Sequence, residues 1–194
     1  MIVMKFGGTS TQDASAMRNV AGIVGSRIAQ RPVVVISAIA QATNTLERSG
    51  GLAAGGRSDE SLQLLNGLID RHRAIAGEIV RDPARKAEIM DILGASLAQL
   101  TELVRGVAIL RELTPRTLDA FYAYGELLSS RLVAAALAES GIDAAWIDTA
   151  DFMVTDELHG KASPLEEVVH ERLTAIVAPL ARNGTVRSRR DSSA

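Results

Sequence analysis

The apolar positions of the chain follow two different spacings. Residues 2–6 and 33–37 contain short, nearly continuous apolar runs rich in β-branched side chains, which predicts buried strands. Between them, apolar residues recur at helical spacing over 16–28, so these segments predict a strand, a helix and a parallel strand. A third strand is expected at 144–148, in the sequence AAWID.

A long helical region follows the second predicted strand, from about residue 43 to residue 141. Breaks interrupt it at 49–59, at Asp82-Pro83 and at Thr114-Pro115. Thr114 is suited to cap a helix with Pro115 at its first position, and Gly141 is suited to end that helix.

The C-terminal region contains one more predicted helix, in SPLEEVVHERLTAIVAPLARNG, which is expected to end at Asn183-Gly184. Residues 187–194, RSRRDSSA, are polar and without periodicity, which favours a disordered tail. The elements together predict an α/β fold, with an open, mainly parallel sheet and helices on both faces.

Composition excludes several classes of function. The 194 residues carry a net charge of −2 and only 3% aromatic residues, so nothing predicts a nucleic-acid surface. No signal-peptide pattern and no apolar run of about 18 residues occurs, and cysteine is absent, which favours a cytoplasmic protein without a membrane segment. His72, His159 and His170 lack metal-ligand spacing, so zinc is not expected.

The first predicted strand ends in the sequence KFGGTS. Gly7 and Gly8 allow backbone angles and close approach that other residues prevent, while Lys5, Thr9 and Ser10 add a positive charge and two hydroxyls. A turn lined by amides and beside a lysine is a candidate phosphate cradle. The alternative is an ordinary turn with a surface lysine, because short glycine motifs recur by chance.

Two further stretches carry candidate substrate-binding groups. In SAIAQATNTL, Ser37 lies at the end of the second predicted strand and Thr43 starts the next helix. Ligands of open parallel sheets bind beyond the carboxyl ends of the strands, so both residues are candidates for ligand contacts. In YGELLSSRL, Glu126 lies among apolar and small residues, so its carboxylate could face a substrate amine. The alternative roles are an ordinary strand end for Ser37, a helix cap for Thr43 and a solvated surface carboxylate for Glu126.

The stretches KFGGTS, SAIAQATN, YGELLSS and WIDTADFMVTD occur in an order and at separations that resemble the first half of the aspartate kinases of the amino acid kinase family. The resemblance covers residues 1–186 and implies the N-terminal, aspartate-binding part of a three-layer kinase domain. The helical stretch 58–113 is similar to the large insert of the lysine-sensitive and bifunctional members.

The resemblance also implies roles for individual residues. It implies transfer of a phosphoryl group from ATP, with Mg²⁺, to the side-chain carboxylate of L-aspartate, giving 4-phospho-L-aspartate for lysine, threonine and methionine synthesis. Lys5 would be catalytic and would bridge the transferring phosphates. The implied nucleotide-binding residues are Lys5, Phe6, Gly7 and Gly8, and the implied aspartate-binding residues are Ser37, Thr43 and Glu126. A homo-oligomer is implied for the full-length form.

Two departures from the family pattern stand out. An arginine is common two residues after Asp148, where this chain has Ala150. A glycine-rich segment is expected beyond Val186, where RSRRDSSA stands instead, so we expect a truncated kinase domain. The alternatives are a non-catalytic remnant that binds amino acid or assembles with a full-length subunit, and a family member that acts on glutamate, carbamate or a nucleotide.

Overall fold

A computed structural model describes residues 1–182 of the chain. The two strands and six helices of this part follow in the order β1 (Ile2–Phe6), α1 (Ala14–Gly25), β2 (Pro32–Ile36), α2 (Ala42–Ala54), α3 (Ser58–Ile79), α4 (Pro83–Leu110), α5 (Pro115–Glu139) and α6 (Glu166–Arg182). The predicted end of the last helix at Asn183-Gly184 and the predicted tail 187–194 lie outside the described residues.

Strands β1 and β2 form a parallel pair, as the apolar runs predict. The register places Ile2 opposite Pro32 and Phe6 opposite Ile36. One face of the pair, with Met4 and Phe6, packs against the hydrophobic core. Val3, on the other face, is 69% exposed, so the described residues cover one face of the sheet and leave the other open.

The predicted third strand at 144–148 is wrong. The segment carries no strand assignment, and the described part of the chain gives its backbone no partner strand. A strand needs a second backbone to satisfy its N–H and C=O groups, whatever its own propensity. Side chains hold the segment instead: Trp146 Nε1 donates to Ser130 Oγ at 2.9 Å, and the Arg131 guanidinium stacks on the indole.

The helix ends follow the predicted signals closely. Asp82 caps α4 by accepting the Arg85 N–H at 2.7 Å, and Thr114 caps α5 by accepting the Thr117 N–H at 3.1 Å. A proline at the start of each helix needs no donor partner there. Gly141, just beyond α5, has a φ of 77°, which glycine adopts readily.

The core lies between the sheet and the packed helices α1 to α5. Helix α5 contacts β2 directly and also packs on α1, α2, α3 and α4. The largest fully buried side chains in the described residues include Phe121, Met17, Ile39, Leu46, Leu65, Ile69, Leu93, Leu100, Leu128 and Leu132. Helix α5 therefore joins the sheet to the helical region formed by α3 and α4.

Among the described helices, α4 is long and apolar enough to match a membrane span by length and composition alone. Only 28% of its most apolar stretch is buried inside the protein. The helix packs on α2, α3 and α5 along one side, so the exposed remainder is a surface feature of this fold.

Candidate active site

The turn after β1 depends on a close approach that only glycine allows. The chain leaves Phe6 through Gly7 and enters a short 3-10 turn over Gly8–Thr11. A Cβ on Gly8 would lie 2.9 Å from the Ala38 carbonyl oxygen, closer than side chains tolerate. The Ala40 N–H donates to the Gly8 carbonyl at 3.1 Å, so the turns after β1 and β2 are joined by their backbones.

Open space and an available amine lie on the other side of this turn. A Cβ on Gly7 would meet no atom within 4 Å. Lys5 is exposed, and its side-chain amine forms no ion pair or hydrogen bond within the described range. The turn thus offers backbone without side-chain cover, with a lysine two residues before it, which is an arrangement that can receive an anion.

The segment after β2 is held by α5. Ser129 Oγ donates to the Ser37 carbonyl at 2.8 Å, and the Ala38 N–H lies 3.5 Å from Glu126 Oε1. Gly125 lets the helix come this close, since a Cβ there would lie 2.9 Å from the Ala38 Cβ. The structure therefore brings Ser37 and Glu126 together at the carboxyl end of β2.

Helix α2 begins immediately after this segment. Gln41 precedes it with a φ of 71°, and its side-chain oxygen accepts from Asn44 Nδ2 at 2.9 Å. Thr43 lies exposed in the first turn, and its hydroxyl has no hydrogen-bond partner among the described residues. Thr43 is thus near Ser37 along the chain, but no contact joins it to Lys5 or Glu126.

One residue that ties this region together was missed by the sequence reasoning. Arg71, on α3, donates from Nη1 to the Ala40 carbonyl at 2.6 Å and from Nη2 to the Gln12 carbonyl at 2.9 Å. It thereby fixes the turns after β1 and β2 to the same helix. Nothing in the sequence around Arg71 distinguishes it from other helical arginines. Gly125, which also shapes this region, could have been found because it lies directly beside Glu126 in the motif YGELLSS.

One turn before Glu126, a phenol extends the polar surface of α5. Burial, followed by a hydrogen bond with Glu47, raises the pKa of Tyr122 above the usual range of a phenol. Tyr122 therefore remains protonated at neutral pH and can act as a hydrogen-bond donor. Glu47 lies one turn after Thr43 on α2, and α2 packs against α5, so Tyr122 faces the helix that carries Thr43.

Asp148, the last residue of the predicted third strand, lies apart from Ser37 and Glu126. Asp148 accepts the Ala150 N–H at 2.9 Å and so caps the short turn Thr149–Asp151. Both Asp148 and Ala150 line an open groove of about 620 Å³ between α4 and α5. That groove includes none of Lys5, Ser37, Thr43 and Glu126, so it is a different surface.

These features define an α/β protein with a glycine turn, a lysine and a carboxylate at the ends of two parallel strands. The chain belongs to the amino acid kinase family, whose family model matches residues 1–194. It is 33% identical over 159 residues to aspartokinase 2, chloroplastic, of Arabidopsis thaliana, covering 80% of this chain and 28% of that protein. It is 32% identical over 186 residues to lysine-sensitive aspartokinase 3 of Escherichia coli, covering 96% of this chain and 39% of that protein.

The solved structures that match this chain include aspartokinases as well. The crystal structure of E. coli aspartokinase III in complex with lysine and aspartate matches with a TM-score of 0.84 at 30% identity, covering 94% of this chain and 39% of that chain. The structure of the same enzyme with aspartate and ADP matches with a TM-score of 0.81 at 29% identity. The resemblance and the α/β fold class inferred from the sequence are thus confirmed, and the chain spans between 28% and 39% of these relatives.

Proposed function

We propose that this chain is the aspartate-binding part of an ATP-dependent aspartate kinase, which phosphorylates the side-chain carboxylate of L-aspartate to 4-phospho-L-aspartate. One observation carries the proposal: the Gly7–Gly8 turn, the segment after β2 and Glu126 converge at the carboxyl ends of β1 and β2. Ligands of open parallel sheets bind at this location. One of the matching crystal structures shows E. coli aspartokinase III in complex with aspartate and ADP.

Glu126 is the proposed partner of the substrate amino group. Its Oε1 lies 3.5 Å from the Ala38 N–H, and its Oε2 has no partner among the described residues. One oxygen can therefore orient the carboxylate while the other accepts from an ammonium group. Ser37 and Thr43 would add hydroxyl groups to the same ligand.

Lys5, Phe6, Gly7 and Gly8 are the proposed nucleotide-binding residues. The open side of Gly7 fits a phosphate, because no side chain fills the space where one would bind. Mg²⁺ would arrive with the nucleotide as part of the substrate, since residues 1–182 contain no group of three His, Asp or Glu that could hold a metal ion. Lys5 would offset negative charge on the transferring phosphoryl group.

The proposal places the protein in the pathway to lysine, threonine and methionine and in the cytoplasm. The pathway follows from the product, 4-phospho-L-aspartate, and the location rests on a composition without cysteine.

Calorimetric titration with L-aspartate tests the substrate assignment. We expect the chain to bind L-aspartate and Glu126→Gln to weaken binding about tenfold or more, since an ammonium–carboxylate hydrogen bond is lost. Glu78→Gln, an exposed position on α3, is the matched control and should leave binding unchanged. Binding of L-glutamate in preference to L-aspartate, or equal affinity of the Glu126 variant and wild type, would contradict the assignment.

A second candidate function is a non-catalytic remnant that binds amino acid, favoured by the lack of an acidic partner for the Lys5 amine among the described residues. Titration with Mg-ATP separates the two. A working nucleotide site should bind Mg-ATP and lose affinity in Lys5→Met but not in Lys161→Met, an exposed loop control. Aspartate binding without any Mg-ATP binding would favour the remnant.

A further inference from the structure

Helix α4 presents an exposed side with a regular pattern. Four residues spaced by seven form one row along this side, and all four are exposed: Ala84, Asp91, Ala98 and Arg105. A spacing of seven keeps residues on the same face of a helix, so the row runs along almost the whole of α4. The opposite side of the helix carries the buried residues Leu93, Leu100, Val104 and Val107.

A second exposed row lies beside the first and ends in the most exposed large apolar side chain of the described residues. Ala95, Glu102 and Ile109 belong to it, and Ile109 is 82% exposed. Its neighbour Leu110 is 74% exposed. Ile109 and Leu110 thus form an exposed apolar pair at the end of a helix whose most apolar stretch is only 28% buried, which a partner surface would cover.

We propose that a second copy of this chain covers this side of α4, with the two α4 helices antiparallel and related by a two-fold axis beside Ala98. Charge complementarity selects this occupant. Asp91 lies seven residues before Ala98 and Arg105 seven residues after it. In the antiparallel pair, Asp91 therefore faces the partner's Arg105, and the symmetry repeats the contact.

Side-chain size agrees with the same axis. Ile109 lies eleven residues after Ala98, and Ala87 eleven residues before it, so each Ile109 packs over the partner's Ala87. Glu102 faces the partner's Gly94 in the same way, four residues from Ala98 on either side. Large side chains thus meet small ones at these two positions, which allows a close helix pair.

The alternative occupant, a lipid bilayer, fits less well. The exposed rows include Asp91, Glu102 and Arg105, and charged side chains are expensive in hydrocarbon. Arg105 forms an ion pair with Glu102 of the same helix, and this pair holds the Arg105 guanidinium on the side of α4 that would face the partner. A protein surface with opposite charges at matching positions satisfies these groups, whereas lipid does not.

Cross-linking of the full 194-residue chain locates the axis. The chain has no cysteine, so A98C introduces the sole thiol, and a short bismaleimide joins two chains only if their thiols are close. We expect A98C to yield a covalent dimer, while A74C, at an exposed alanine of α3, stays monomeric after the same treatment. Equal cross-linking of both variants, or none in A98C, would overturn the proposal.

Charge exchange tests the contacts themselves. By sedimentation equilibrium, D91R and R105D should each weaken dimerisation about tenfold, because each places like charges at two symmetric contacts. The double variant D91R/R105D should recover most of the affinity, a rescue that loss of folding would not produce. D70R, at an exposed ion-paired aspartate of α3, should leave dimerisation unchanged.

Two results would overturn the proposed pair. If the single variants dimerise as tightly as wild type, the interface lies elsewhere, for example on the open face of the sheet. Co-sedimentation of wild type with phosphatidylcholine vesicles, lost in a variant with Ile109→Asp, would assign the surface to a membrane.

Discussion

Gly125 shows how a single residue controls the candidate site. Its missing side chain lets α5 approach Ala38, so that Glu126 reaches the backbone after β2. A Cβ at this position would lie 2.9 Å from the Ala38 Cβ, and the helix would have to move away.

We therefore expect Gly125→Ala to lower the free energy of unfolding by about 1 to 3 kcal/mol, the usual cost of overpacking. Gly67→Ala, on α3, is the matched control. A Cβ there meets nothing within 4 Å, so the better helix propensity of alanine should raise stability by about 0.5 to 1 kcal/mol. Urea unfolding followed by circular dichroism measures both, and changes of the same sign would refute the close-approach argument.

His72 is a buried base whose protonation opposes folding. Its side chain is fully buried, with Nδ1 2.7 Å from the Leu68 carbonyl and Nε2 without a hydrogen-bond partner among the described residues. Burial lowers the pKa of His72 below the ordinary histidine value, and the nearby positive charge of Arg71 lowers it further.

The unfolded chain, with an ordinary pKa of about 6.5 for this imidazole, binds a proton there before the folded chain does. Stability is therefore complete above that value and is lost as the pH falls toward the lowered pKa of the folded state, by up to about 1.4 kcal/mol per pH unit. Urea unfolding between about pH 7.5 and pH 5.5 should give a shallower pH dependence for His72→Met than for wild type. His170→Gln, at an exposed position, should keep the wild-type slope.

At the scale of elements, a pair of buried hydroxyls joins α2 to α3. Ser49 Oγ and Ser61 Oγ lie 2.7 Å apart, and Ser61 Oγ also lies 2.8 Å from the Ser49 carbonyl. Both side chains are fully buried, so these contacts satisfy groups that water cannot reach.

We expect Ser49→Ala and Ser61→Ala each to cost about 0.5 to 1.5 kcal/mol of stability, because the remaining hydroxyl keeps one carbonyl acceptor. The double variant should cost less than the two single variants added together, since each single substitution already removes the shared bond between the two hydroxyls. Ser96→Ala is the control, because this buried hydroxyl bonds only within α4, to the Ile92 carbonyl. Strict additivity in thermal unfolding would show that the two hydroxyls act independently.

Elements whose signals are local could be predicted from the sequence. The β-branched run at 33–36 indicates β2, and Thr114 with Pro115 marks the start of α5, because caps and propensities act within a few residues. The segment 144–148 has similar local character but no partner strand in the described residues, and pairing is a property of two segments. The carbonyl contacts of Arg71 depend on tertiary packing in the same way.

At the scale of the whole molecule, the candidate site combines predicted motifs with a partly open surface. The sequence motifs identified Ser37 and Glu126, and the structure places these two residues together. No contact joins Lys5 or Thr43 to them. The Lys5 face of the sheet stays open at Val3 and at Val35, which is 42% exposed. Part of the site therefore faces a surface that nothing in residues 1–182 covers.

This openness leads to an expectation about turnover. Phosphoryl transfer depends on positioning and charge neutralisation, and correct positioning can supply about 7 to 11 kcal/mol of barrier reduction. Residues 1–182 offer the Lys5 amine no acidic partner, so under the proposed function this part of the chain lacks a group that would orient the lysine toward the nucleotide. We expect the 194-residue polypeptide to bind L-aspartate without phosphorylating it at a measurable rate.

A coupled assay of ADP release on the purified polypeptide measures this, with L-aspartate omitted in parallel to subtract background hydrolysis. Lys5→Ala provides the second comparison, because it removes the proposed phosphate-binding amine while leaving Glu126 in place. Wild type and Lys5→Ala should give the same background rate. Turnover that requires L-aspartate and disappears in Lys5→Ala would instead show that this chain positions both substrates by itself, through contacts with Lys5 that form only when nucleotide is bound.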